Sequence, residues 1–124
     1  MEIHELQRKI EQNRSKTSEF VFNSRNTEKS VNVMIDLHGL TKVEALRVTR
    51  TRLQMTQDGL TAGSINPNAG DNKNHFFKIV AGAGNHSGVR GAVLKPAVEK
   101  MLIENNYEHY ANMQHGVFLV RLRK

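Results

Sequence analysis

The chain has 124 residues, no cysteine, no tryptophan and a formal net charge of +6. A chain of this length suits one domain that folds without a staple, and the absence of thiols excludes disulfides, thiolate zinc sites and a cysteine nucleophile. No stretch nears the roughly 20 apolar residues of a membrane span, and the polar start Met1-Glu2-Ile3-His4-Glu5 lacks the apolar core of a signal sequence, so the expectation is an intracellular protein, cytoplasmic or nuclear, with no membrane contact.

Most of the positive excess falls in residues 31–124. Such a field favours polyanions without choosing a sequence. Aromatic residues are few, and none of them recur in the pattern that stacks single-stranded bases, so contact with a nucleic-acid backbone is expected rather than base reading. The plain alternative is a basic surface that only keeps the chain soluble.

In chain order, residues 1–28 alternate charges of both signs, with Ile3, Leu6 and Ile10 at helical spacing before the apolar patch Phe20-Val21-Phe22. This reads as a short amphipathic helix and a lead-in that docks on the core. A first strand is expected over 33–38. Thr41 with Glu44 has capping-box spacing and opens a helix running to about Gln57 and ended by Gly59, with Ala45, Leu46, Thr49 and Leu53 inward and Arg47, Arg50 and Gln54 on the wet face. Residues 60–75, rich in Gly and Asn with Pro67 among them, sustain neither period and read as a long flexible loop. A second strand follows over 76–81. Leu94, Ala97, Val98 and Met101 form the stripe of a second helix, and because Pro96 suits only a first turn, that helix is expected to begin near 92–95, with Gly91 before it. Strands over 107–111 and 117–122, joined at Gln114-His115-Gly116, close the chain as a hairpin.

The order β-α-β-α-β-β with right-handed crossovers makes the first three strands parallel and reverses the fourth. The expected fold class is α+β: a two-layer sandwich with a four-stranded mixed sheet, both helices on one face, and an extra amino-terminal helix.

Two motifs carry chemistry. In Ile35-Asp36-Leu37-His38-Gly39-Leu40 the acid and the imidazole stand two residues apart, so a strand projects them to one side while Ile35 and Leu37 pack the other. The second strand ends in Ala81-Gly82-Ala83-Gly84-Asn85-His86-Ser87-Gly88, and parallel neighbours bring their carboxyl ends to one sheet edge. Free backbone N–H groups in such a turn can hold an anion, with Arg90 and Lys95 just beyond. Three readings stay open at this point. The pair is catalytic; or it is structural, with Asp36 capping the following turn; or Asp36, His38 and His86 form a two-histidine, one-carboxylate metal face. The spacing GxGxxxG is neither a dinucleotide fingerprint nor a nucleoside-triphosphate loop. His4, His75, His109 and His115 lack such company and are expected at the surface or in the hairpin.

At these residues the sequence resembles the Smr (small MutS-related) domain: IDLHGLTKVEAL resembles the family's LDLHG motif and helix, IVAGAGNHSGVRGAVLKPAVEKML its TGxGxHS motif and helix, and GVFLVRL its closing strand. The likeness covers about 33–123 and departs at Ala81, where the family usually has Thr. It implies a fold similar to the carboxy-terminal domain of translation initiation factor three and endonuclease activity, by nicking of DNA or cleavage of RNA. Residues 18–26 also resemble the segment preceding Smr domains in eukaryotic multidomain proteins, which implies a monomeric module of a larger protein. The family's acid and histidine fall on Asp36 and His38, and its turn on Gly82, Gly84, His86 and Ser87. In the expected reaction His38 is general base or acid and Asp36 fixes its tautomer. Gly82, Gly84, Ser87, Arg90 and Lys95 receive the phosphate, Arg47 and Arg50 add contacts along the backbone, and His86 protonates the leaving oxygen. Nucleic acid is the expected partner; no cofactor is required by the residues, and Mg2+ is left open.

Overall fold

The computed structural model describes residues 31–82 and 88–124, and of 88–92 the backbone alone; the amino-terminal helix expected within 1–28 lies outside the described residues. The elements are β1 (Met34–Asp36), α1 (Lys42–Ala62), β2 (Asn74–Val80), α2 (Gly88–Glu104), β3 (Glu108–Asn112) and β4 (Val117–Arg123). They form a four-stranded sheet in the order β1-β2-β4-β3. β1 runs parallel to β2, with Ile35 opposite Ile79, and β4 runs antiparallel to both β2 and β3. Strand directions are therefore those expected, while the hairpin places β4 inside the sheet and β3 at its edge. Composition explains the choice. β4 turns Phe118, Val120 and Leu122 inward, all buried, whereas the inward residues of β3 are His109 and Ala111 and the strand is mostly exposed.

One face of the sheet is covered. Ile35, Leu37, Phe77, Ile79, Phe118, Val120 and Leu122 meet Ala45, Leu53 and Leu60 of α1 and Leu94, Val98, Met101 and Leu102 of α2 in a single core, so both helices lie on one side and the fold is the two-layer α+β sandwich. On α1 the buried stripe Ala45, Thr49, Leu53, Thr56, Leu60 steps by three and four residues. The two buried threonines donate to the carbonyls of Ala45 and Arg52 at 2.7 and 2.8 Å, which leaves no unpaired hydroxyl in the core. Thr41 caps the helix as its spacing predicts, accepting from the Glu44 N–H at 3.3 Å while its hydroxyl donates to the Glu44 carboxylate at 3.0 Å.

Three expectations need correction. α1 does not stop at Gly59 but runs to Ala62, where Gly63 (φ +83°) supplies the left-handed cap. Gly59 is a packing position: a Cβ there would collide with Ile65, whose N–H folds back to donate to the Gly59 carbonyl at 3.0 Å. α2 starts at Gly88 rather than 92–95, with Gly91 and Pro96 inside it. Pro96 faces solvent, where water can take the carbonyl that its missing N–H leaves without a helical partner. Third, His75 is no surface residue. It shares the inward register of Phe77 and Ile79, is 1% exposed, and donates from Nε2 to the Asn32 carbonyl at 2.6 Å.

The segment between α1 and β2 spans 63–73 and is tied to the sheet by its own side chains. Asn68 donates to the Phe76 carbonyl at 2.9 Å and accepts from the Phe76 N–H at 2.8 Å, a side-chain substitute for a missing strand. Asp71 accepts from the N–H groups of Lys73 and Asn74, both at 2.9 Å. The Asn74 N–H first, then that of Lys73, holds the Asp71 carboxyl at about 2, below its ordinary 3.8. The whole loop lies at the amino-terminal end of β2, roughly 20 Å along the strand from Val80.

Candidate active site

The site lies at the opposite end of β2. There β1 ends beside Val80, whose carbonyl takes the Leu37 N–H at 2.8 Å, and the chain turns through Gly39 into α1. Ile35 and Leu37 fill the core beneath. The alternation that buries them sends Asp36 and His38 to the side of the sheet away from the helices. Asp36 Oδ1 accepts twice from one residue, from the His38 backbone N–H at 3.0 Å and from its ring Nδ1. Two bonds from the same residue fix the ring's position and orientation. They also assign the tautomer, since with the proton on Nδ1 the neutral ring presents a lone pair at Nε2. The carboxylate side chain is 14% exposed and the imidazole 34%: the acid is shielded while the ring remains reachable.

Nε2 faces the glycine turn. Gly82 holds φ +93°, a conformation that side chains disfavour, and a Cβ built there would lie 3.4 Å from His38 Nε2. The two motifs, more than 40 residues apart in sequence, thus meet with nothing larger than a hydrogen at their contact. Gly82 is held in turn by the β3–β4 hairpin. The Gly116 carbonyl accepts from the N–H groups of Ala81 and Gly82 at 2.8 and 3.3 Å, and Gly116 (φ +63°) packs so closely that a Cβ on it would collide with the Gly82 backbone. The Gly82 amide is therefore already engaged within the fold. Ala81 is buried at the end of this strand, with methyl packing where the resembling family has a hydroxyl.

Among the remaining candidates, Lys95 reaches the same edge, donating from Nζ to the Met113 carbonyl of the hairpin at 3.2 Å. Arg47 and Arg50 are exposed on α1, in the helix layer, whereas Asp36 projects from the other face of the sheet. Arg50 borders a shallow groove of about 420 Å3 with Thr51, Gln54, Met55, Asn105 and Tyr107. The structure does not bring these arginines to the pair. Gly84, His86 and Ser87 lie outside the described residues, and of Arg90 the helix backbone alone is described. Among the described residues no three His, Cys, Asp or Glu side chains converge as metal ligands, so a metal face would depend on His86. Nor is any described helix long and apolar enough to cross a membrane. Sequence reasoning missed the part played by Gly116, whose signal is tertiary: nothing local distinguishes it from any hairpin glycine.

A two-layer α+β sandwich with an Asp-x-His strand end set against a glycine turn places the chain in a structural class with solved members. It is similar to the solution structure of the B3BP Smr domain, at 26% identity over 86% of this chain and 92% of that one, with a TM-score of 0.65. It is also similar to the solution structure of the SMR domain of NEDD4-binding protein 2, at 28% identity over 73% of this chain and 85% of that one, with a TM-score of 0.54. These likenesses support an Smr domain. No protein-family model matches the sequence, and no curated protein matches it.

Proposed function

We infer that this domain is an endonuclease module that cleaves phosphodiester bonds in DNA or RNA. The observation that supports the reading best is the imidazole held at Nδ1 by a shielded carboxylate with Nε2 turned to a glycine turn. A merely structural histidine looks different in this same molecule, as His75 shows. In the reaction, Nε2 takes a proton from water, or from the neighbouring 2′-hydroxyl of RNA, as that oxygen attacks phosphorus. The bond from phosphorus to the leaving oxygen breaks, and the leaving oxygen takes up a proton from a general acid, for which His86 is the sequence's candidate. Asp36 stabilises the imidazolium that forms between the two transfers. Lys95 lies at the edge where the phosphate would sit, and with Gly82 engaged, further contacts would come from Gly84, Ser87 and Arg90.

The experiment is a cleavage assay on supercoiled DNA and on RNA, with and without chelator, followed by end-group analysis. Cleavage that survives chelation and leaves a 2′,3′-cyclic phosphate identifies attack by the 2′-hydroxyl; nicking of DNA that chelator abolishes identifies water attack with Mg2+. Retained affinity with no cleavage of either substrate would replace this reading with that of a non-catalytic binding module.

A further inference from the structure

We propose that the open face of the sheet, away from the helices, is a platform for single-stranded nucleic acid that leads into the Asp36–His38 site; the proposal rests on the functional reading above. Alternation fixes what this face carries. In β2 and β4 the residues between the buried ones are Phe76, Lys78, Val80 and Val117, Leu119, Arg121, Arg123, all half-buried or exposed. In β3 they are Glu108 and Tyr110, the latter 55% exposed. The pairing register orders them in rows across the sheet. Asp36 stands opposite Val80, and Val80 opposite Val117, so the acid of the site heads the same face. The next row is Met34, Lys78, Leu119 and Tyr110; the one beyond it is Phe76, Arg121 and Glu108.

Two aromatic rings thus stand one row and two strands apart, about 12 Å from strand spacing and rise. That separation suits two bases of an extended strand and not two stacked neighbours in a duplex. The cations between and beside them, Lys78, Arg121 and Arg123, match a sugar-phosphate chain. Glu108, which is nearly half exposed, holds Arg121 at 3.0 Å and Arg123 at 3.4 Å, orienting both guanidinium groups on this face until a phosphate competes for them. Bases have π-faces that a flat sheet with aromatic side chains can receive, whereas the paired bases of a duplex are turned inward. The linear sequence shows no such pattern because Phe76 and Tyr110 come to stand two strands apart on one face only when β4 inserts between β2 and β3.

The test uses the full chain, with affinity read from the anisotropy of end-labelled oligonucleotides for every variant; in proteins that keep Tyr110, quenching of tyrosine emission by a bound base is a second reading, against a background from Tyr107. His38→Ala protein, in which the functional reading expects cleavage to be slowed, is titrated into twelve-nucleotide oligo-U, oligo-dT and a blunt duplex. Both single strands are expected to quench and to bind more tightly than the duplex, with oligo-U against oligo-dT separating RNA from DNA as the source. Tyr110→Ala should weaken single-strand binding about 5- to 150-fold, Tyr110→Leu should not restore it, and Tyr110→Phe should. Lys78→Ala should make the salt dependence shallower by about 0.7 for each phosphate that the ammonium neutralises. Phe76→Leu, which keeps an apolar side chain, tests the second ring without emptying its site. Duplex preference, or Tyr110→Ala with unchanged affinity, overturns the platform even if His38→Ala has abolished cleavage. A Tyr110→Ala protein that changes oligomeric state with unchanged affinity overturns it in favour of a second copy of the chain as occupant. If instead Tyr110→Ala weakens binding while His38→Ala still cleaves, the platform stands and the catalytic reading falls.

Discussion

At the amino-terminal end of β2, His75 is 1% exposed, its Nε2 is occupied by the Asn32 carbonyl, and its Nδ1 is buried with no partner among the described residues. Beside the other end, His38 keeps 34% of its side chain exposed, has Nδ1 engaged by a carboxylate, and sets Nε2 against a glycine. The residue type is the same and so is the sheet. What differs is which nitrogen is tied down, and to what. A ring fastened to a carbonyl in the core ties the lead-in to β1 against β2, as Asn68 and Asp71 close the loop there. A ring fastened to an acid instead keeps a third of its side chain exposed and leaves its second nitrogen facing the glycine turn rather than a carbonyl.

Substitution separates the two ends. The largest effect is expected at His38: His38→Ala should lower turnover by about 10²- to 10⁴-fold. Its thermal midpoint should move little, because the backbone N–H of residue 38 still donates to Asp36. Next comes Gly116→Ala, where a left-handed backbone and a collision with Gly82 act together. About 2–4 kcal/mol of stability should be lost, read by urea unfolding, and the residual folded protein should cleave poorly because Gly82 is displaced from His38. His75→Leu should cost only about 1 kcal/mol, since it removes an orphaned nitrogen together with the bond to Asn32, and activity per folded molecule should be unchanged. A catalytic defect in that variant would erase the distinction between the two histidines.

The smallest effect is at Asp71. Its folded pKa, about 2, lies below the ordinary 3.8, so the carboxylate's contribution is complete above about pH 4 and is lost as pH falls towards 2. Asp71→Asn should therefore lower the urea midpoint at pH 6, and the gap from the parent protein should close on acidification. A gap that is constant with pH would mean that the charge does not hold this loop.

The parts legible in the sequence are those whose partners are close in the chain. Thr41 and Glu44 are three residues apart, Asp36 and His38 two, and both pairs form as spacing predicts. Helix ends were harder, because Gly59 and Pro96 each have strong local preferences that tertiary context overrode: Ile65 folds over the one, and solvent accommodates the other. His75 could have been found, since it stands two residues before Phe77 and four before Ile79 in one period-two register. The strand order could not be read from alternation, which gives each strand's faces but not its neighbours. With it went the contact of Gly116 with Gly82 and the proximity of Phe76 to Tyr110.

The central claim is that Asp36 and His38 act as one proton-transfer unit, and a double-mutant cycle tests it most directly. Single-turnover cleavage would be measured for the parent, Asp36→Asn, His38→Ala and the double variant, with urea unfolding of each. All four proteins should fold, each single change should lower the rate by about 10²- to 10⁴-fold, and the double variant should sit close to the worse single, because one unit leaves little for a second change to remove. Full cleavage by a well-folded His38→Ala protein, or decreases that multiply as independent effects, would contradict it.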